Sequence, residues 1–177
     1  MRIMNLKYSN KKKVRGGKRK SRIMVREIEK LTENFPELDL NRGYWHMHLP
    51  VSQVFIDSKN TPSHIRTLCI KTLINRAIFL SNMKPKVRTK IRVVACIELP
   101  QLWDSQIIIF FGDEYFENFF NRDDDYQKWS LIDTNRSLLK VYDLCIPNDF
   151  IERGYIEEIF DDDFKSKSEI WFIGELE

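Results

Sequence analysis

The chain has 177 residues, of which 42% are apolar and 12% aromatic, and its formal net charge is +3. This composition provides enough apolar surface for one folded domain and excludes a chain that is disordered throughout. The longest uninterrupted apolar runs, Val93–Ile97 and Ile107–Phe111, are five residues each, which is too short for a membrane-spanning helix. No apolar stretch follows the basic N-terminus to form a secretion signal, so we expect a cytoplasmic protein without a membrane partner.

The first 22 residues form a basic segment. They contain ten Lys or Arg and no acid, whereas the rest of the chain contains 19 basic and 26 acidic residues. Because the segment has no periodic apolar pattern, we predict a flexible basic arm over residues 1–22 and a single domain over 23–177. The candidate nucleic-acid-binding residues of this arm are Lys11, Lys12, Lys13, Arg15, Lys18, Arg19, Lys20 and Arg22.

Three segments have the apolar spacing of helices. The first is expected to begin with Ser21 as its N-cap and to end at Pro36. Its apolar residues at helical spacing are Met24, Ile28, Leu31 and Phe35. The second follows Thr61 and Pro62 and is apolar over more than half of its circumference, which favours a central helix packed on two sides. A short third helix is expected after Asp113. Its inward-pointing residues are predicted to be Phe116, Phe119 and Phe120.

Four segments alternate or run apolar in the manner of strands. They are Tyr44–Leu49, Ile91–Leu99, Gln106–Phe111 and Glu169–Leu176. The linker Pro100–Ser105 is too short for a parallel crossover, so the two strands it joins should be antiparallel. We predict an α+β fold with a mixed or mainly antiparallel sheet of about four or more strands, and with two to three helices packed mainly on one face. Residues 123–168 indicate no clear element.

The segment Tyr44–Pro50 contains two of the three histidines in the chain. On a strand, His46 and His48 share one face about 6.6 to 7 Å apart, so both imidazoles can reach one divalent metal ion. A catalytic zinc site needs a third protein ligand, and Asp57 is our working choice for it. The other candidates are His64, Glu98 and Asp104. The alternative, in which the imidazoles line a groove or hydrogen-bond to neighbouring strands, stays open.

Other residues that can carry chemistry are assigned to structure. Cys69, Cys96 and Cys145 are odd in number and widely separated, which indicates neither a disulfide framework nor a paired-thiol metal motif. We expect Cys69 and Cys96 to pack as small apolar side chains. The acidic runs at 123–125 and 161–163 lack the alternation and central glycine of a calcium loop, and we assign them to solvated loops.

The density of Lys and Arg in the arm is the strongest functional signal, because contact with phosphates releases counterions. Nucleic acid, or another acidic macromolecule, is therefore the candidate partner of the arm. Tyr8 is the only aromatic residue in the segment, so we expect binding to be directed at the backbone with little sequence preference. Two alternatives stay open, in which the arm improves solubility or docks on the acidic surface of its own domain.

Three segments carry a resemblance to a known family: YWHMHLP at 44–50, IRVVACIELPQLWDSQIIIFFGDEYFENFFNR at 91–122 and EIWFIGEL at 169–176. Together they resemble a family of uncharacterised bacterial cytoplasmic proteins, a domain of unknown function. The resemblance implies a bacterial, cytoplasmic origin. It implies no activity, cofactor or site residue.

Three functional hypotheses follow. The first is a binding or regulatory module whose domain recognises a macromolecular partner, a protein among the candidates, while the arm adds electrostatic affinity. The second is a metal-dependent hydrolase or nuclease in which His46 and His48 bind the metal and Asp57 or Asp104 completes the site. The third is an inhibitor or immunity-type protein that covers a basic site with an acidic and aromatic patch at 123–129.

Overall fold

The structure, a computed structural model, describes residues 16–39, 41–49, 63–99, 102, 105–120, 130–131, 147–157 and 167–174. Within these ranges there are three helices and six strands. The helices are α1 (Gly17–Leu31), α2 (Ser63–Met83) and α3 (Glu114–Phe120). The strands are β1 (Tyr44–His48), β2 (Ile91–Leu99), β3 (Gln106–Phe111), β4 (Ser130–Leu131), β5 (Phe150–Glu157) and β6 (Lys167–Gly174).

The strands form one sheet in the order β1-β3-β2-β6-β5-β4, and every neighbouring pair is antiparallel. The predicted α+β class is therefore confirmed, with an antiparallel sheet. Strands β2 and β3 have the predicted bounds, and the short connection between them makes them antiparallel neighbours. Strand β6 begins at Lys167, two residues before the predicted start.

Helix α2 packs directly on the sheet and forms the main core with it. Every third or fourth residue of the helix is fully buried. These residues include Ile70, Leu73, Ile74, Ala77 and Leu80. Alternate residues of β2 and β3 face them, because side chains on one sheet face recur every two residues. These residues are Val93, Ala95, Ile97, Ile107 and Ile109. The prediction that the second helix packs against the sheet and against another element is confirmed, since α2 contacts both the sheet and α1.

Helix α1 docks on α2 through few contacts. Met24 and Ile28 are its fully or nearly buried apolar residues, and the Cys69 Sγ lies 3.6 Å from the Met24 Sδ. At its C-terminal end, the Arg76 guanidinium donates to the Thr32 carbonyl oxygen at 2.7 Å and to the Thr32 hydroxyl at 2.8 Å. A cation that binds free carbonyls at this end stabilises the helix, because it complements the helix dipole.

The start of α1 differs from the prediction. The N-cap is Gly16, in a left-handed conformation with φ of 73°, and Ser21 is a buried residue within the helix. Ser21 as the cap is therefore wrong, and residues 17–22 of the predicted arm are helical. Lys and Arg are good helix formers, so the helix that docking stabilises extends back through them. Leu31, predicted on the apolar stripe, is 54% exposed.

A second, smaller core covers the opposite face of the sheet. Phe116 of α3 is buried against Phe110, with ring centroids 5.4 Å apart and an edge-to-face angle of 77°. The other buried members of this core are Val94, Cys96 and Ile108. The inward position of Phe116 is confirmed, whereas the side chains of Phe119 and Phe120 lie outside the described residues. The helices thus pack mainly on one face, with α3 alone among the described helices on the other.

Strands β4 and β5 lie in the region that indicated no clear element. Strand β5 pairs with β6 over its whole length, from Phe150 opposite Gly174 to Glu157 opposite Lys167. Charged residues and a glycine interrupt the apolar alternation of Phe150–Glu157, which explains why the pattern was weak. Pairing with β6 stabilises the extended conformation of β5, which the local sequence does not indicate.

Truncating Phe116 to Ala should lower the free energy of unfolding by about 3 to 5 kcal/mol, because it removes a fully buried ring from a small core. The measurement is urea unfolding, with Asn118→Ala on the exposed side of the same helix as the control. We expect the control to change stability by less than about 0.5 kcal/mol. Equal effects of the two substitutions would contradict the placement of α3.

Candidate functional site

Strand β1 presents two different faces. Met47 is buried and Trp45 packs against the main core, as the two-residue alternation predicted. Tyr44 and the two histidines lie on the other face, opposite Phe110, Ile108 and Gln106 of β3 in the register. Because β1 is the terminal strand of the described sheet, this face has a neighbouring strand on one side only among the residues that the structure describes. The predicted division of the strand into two faces is confirmed.

The two imidazoles lie side by side on the exposed face. The ring centroids of His46 and His48 are 5.0 Å apart, and the ring planes are inclined by 59°. Both side chains are exposed. The two rings therefore lie on one face of the strand, as predicted. Their separation allows both to contact one small ligand.

The pair continues into a row of four rings, which we call the ring stripe and define as Tyr115, Tyr44, His46 and His48. The Tyr44 centroid lies 5.6 Å from that of His46 and 6.2 Å from that of Tyr115. Tyr115 comes from α3 and covers Gly43, whose φ of 70° favours glycine. The two histidines and Tyr115 are exposed, and each ring of the stripe combines an apolar body with a polar atom. The stripe is therefore a candidate binding surface.

The electrostatics of the pair favour a neutral His46 imidazole. Partial burial against its neighbours lowers the pKa of His46 below the usual 6.5, and repulsion by a protonated His48 lowers it further. Two close cations repel each other, so a charged neighbour disfavours protonation of His46. At neutral pH, His46 therefore offers a free nitrogen lone pair.

Of the four predicted third ligands, the two that the structure describes, Glu98 and His64, do not lie with the histidine pair. Asp57 and Asp104 lie outside the described residues. Glu98 is buried two strands away on β2, and its backbone N–H donates to the Ser105 hydroxyl at 2.9 Å. His64 lies on α2. Across the described ranges, no three His, Cys, Asp or Glu side chains are close enough to hold a metal ion.

Gln106 is a residue that the sequence did not single out. It is the first residue of β3 and stands directly opposite His48. Its Oε1 atom is buried and has no hydrogen-bond partner. A single glutamine at the start of a strand matches no sequence motif. Only the strand register shows that Gln106 lies beside His48.

The described part of the predicted basic arm is the first part of α1. Lys18, Arg19, Lys20 and Arg22 lie on this helix, whereas Lys11, Lys12, Lys13 and Arg15 are outside the described residues. Four exposed cations, spaced three or four residues apart, share the helix face opposite Met24 and Ile28. We call them the basic ridge: Arg19, Arg22, Arg26 and Lys30. The sequence-based prediction missed Arg26 and Lys30, although their helical spacing was readable.

The basic ridge is available for a ligand. None of its four side chains forms an ion pair or a side-chain hydrogen bond within the part of the chain that the structure describes. Arg22 and Arg26, together with Glu29, also line an open groove of about 440 Å³ between α1 and α2. The apolar lining of this groove comes from Val25, Ile65 and Leu68. Two cations of the basic ridge thus border a groove with an apolar lining along one side of α1.

The two described cysteines are structural. Cys69 and Cys96 are both buried thiols, and burial raises the pKa of the Cys69 thiol to about 12. A thiol with a raised pKa is a poor nucleophile and a poor metal ligand at neutral pH. Their assignment to packing is supported by this burial. Cys145, the acidic runs and the acidic and aromatic patch at 123–129 lie outside the described residues.

The fold and these surfaces define an α+β protein with an antiparallel sheet, three described helices, a histidine pair on its edge strand and a basic first helix. None of the described helices is long and apolar enough to cross a membrane. The chain belongs to DUF3916, a family described as proteins of unknown function, whose model matches residues 25–175. No curated protein and no solved structure matches it.

The family match covers the histidine pair and only part of the basic ridge. It begins at Val25, so the whole predicted basic arm, residues 1–22, lies before it, as do Arg19 and Arg22 of the ridge. His46, His48 and Asp57 lie within it, as do Arg26 and Lys30 of the basic ridge. The histidine pair is therefore part of the region that defines the family.

We expect His46 to titrate below 6.5 and His48→Ala to raise its pKa only in part, because burial is the larger cause of the shift. The measurement is an NMR titration of the ring protons in both proteins. The unfolded chain binds this proton more tightly, so stability should fall as pH drops below about 6.5. A His46 pKa at or above 6.5 would contradict the geometry.

Gly43→Ala should destabilise the protein, because the new methyl group would overlap the Tyr115 ring and the left-handed backbone disfavours alanine. In a Tyr115→Ala background only the backbone cost remains, about 1 to 2 kcal/mol. Urea unfolding of the four proteins in this double-mutant cycle measures the difference. The same cost in both backgrounds would show that the ring does not cover Gly43.

Proposed function

We propose that this protein is a binding module that contacts the phosphate backbone of nucleic acid through its basic N-terminal segment and α1. The observation that supports the proposal is the basic ridge, whose four cations have no described ion-pair partner. Unpaired Arg and Lys on one helix face produce a local positive field that attracts phosphates. Arginine also binds a phosphate through two parallel N–H donors.

The dimensions of the ridge suit a phosphate backbone. Its residues span 12 positions of α1, from Arg19 to Lys30, and at 1.5 Å per residue the charges are spaced about 4.5 to 6 Å along the helix axis. Phosphates of one DNA strand recur about every 3.4 Å along the duplex axis. The ridge can therefore contact about three or four phosphates of one strand.

The sequence before α1 supplies further cations. Seven of the ten residues from Lys11 to Lys20 are Lys or Arg, and the helix begins at Gly17. Cations that precede the N-terminus of α1 add affinity without any requirement for base recognition. The segment lacks aromatic residues other than Tyr8, which favours backbone contact over base stacking.

An Arg22→Ala, Arg26→Ala variant should weaken binding and flatten the dependence of log affinity on log salt by about 1.4 to 1.8, since two phosphate contacts are lost. The measurement is a salt titration of fluorescently labelled single-stranded and duplex DNA and RNA. The matched control is Lys86→Ala, Arg88→Ala, which removes two exposed cations from the loop after α2.

The control should keep the wild-type slope, and deletion of residues 1–15 should flatten it further without unfolding α1. Equal slopes for the wild type and the ridge variant would overturn the proposal. A variant that changes only thermal stability, with an effect that disappears at high salt, would instead indicate docking on the acidic surface of the same protein.

A further inference from the structure

The histidine pair lies apart from the basic ridge, and its geometry supports a separate site. His46 and His48 are on the sheet face opposite the main core, whereas α1 and α2 lie on the core side. We propose that His46 and His48 together bind one divalent transition-metal ion on the exposed face of β1, with Gln106 as the acceptor that orients the His48 ring.

The spacing of the rings fits two imidazoles on one ion. A metal bound about 2.0 to 2.1 Å from a ring nitrogen lies about 3.2 Å from the ring centroid. Two imidazoles bound at angles between about 90° and 110° therefore have centroids about 4.5 to 5.2 Å apart. The observed separation is 5.0 Å. The strand thus holds the rings at the required distance without any backbone change.

Gln106 completes the surroundings of His48. A metal-bound imidazole usually donates its second ring N–H to a carbonyl or carboxylate oxygen, which orients the ring. Directly opposed residues of antiparallel strands have Cβ atoms about 4.5 to 5.5 Å apart, and Gln106 is directly opposite His48. Its buried Oε1 accepts no hydrogen bond, and an unsatisfied acceptor of this kind favours a donor.

The ligand type selects the metal. Imidazole suits zinc, copper and nickel, whereas magnesium and calcium prefer oxygen ligands. Copper should bind more tightly than nickel or zinc, as expected for nitrogen ligands. With two protein nitrogens bound, the remaining positions are open to water, which makes the site accessible from solvent.

The first test uses the untagged full-length protein and isothermal titration with zinc, copper and magnesium chlorides. We expect zinc and copper to bind at one site, copper more tightly, and magnesium to give no signal. A His46→Ala, His48→Ala variant should lose binding. His64→Ala, which removes the remaining histidine of the three in the chain, should retain it. Retained affinity in the double variant, or equal loss in His64→Ala, would overturn the proposal.

The second test uses the wild-type protein, so it does not depend on whether the His46→Ala, His48→Ala variant folds. Substoichiometric copper should broaden the ring-proton NMR signals of His46 and His48 and leave those of His64 sharp. Equal broadening of all three, or none, would overturn the metal site.

A third measurement isolates the role of Gln106. Gln106→Leu should weaken zinc binding about tenfold or more, and Gln106→Glu should restore it, because a carboxylate also accepts the ring N–H. A purely structural role of Gln106 predicts the same zinc affinity in both variants, with only thermal stability changed. That result would overturn the assignment of Gln106.

Discussion

Strand β2 imposes the constraint on which the rest of the structure depends, because every residue from Ile91 to Glu98 is buried. A strand that alternates its side chains between two faces can be buried along its length only if both faces of the sheet are covered. Helix α2 covers one face with a broad apolar surface. On the other face, Phe116 of α3 covers Phe110 and its neighbours. The sheet must therefore be sandwiched at its centre.

The same packing leaves one face of the edge strand β1 exposed at His46 and His48. Strand β1 is the last strand beside β3, and α3 extends only as far as Tyr44, where Tyr115 contacts its ring. Beyond that point His46 and His48 lie on a supported but uncovered surface. Rigid strand backbone holds the two rings in place, which is the arrangement that a two-imidazole metal site needs.

Helix α1 separates packing from charge in a similar way. Its docking requires little apolar area, since Met24, Ile28 and the Arg76 contact to Thr32 fix it on α2. The remaining circumference is free to carry arginine and lysine. Because α1 lies on the core side of the sheet and the histidine pair on the other side, substitutions in one surface should not couple to the other.

The sequence by itself determined the helices and strands with strong periodicity, the α+β class and the shared face of His46 and His48. These follow from local patterns, in which spacing of two or about four residues directly encodes a face. The tertiary structure alone decided where α1 begins, because docking on α2 extends the helix through residues with no apolar pattern. It also decided the pairing of β5 and the placement of Gln106 beside His48. Both depend on register between distant strands, which no local pattern specifies.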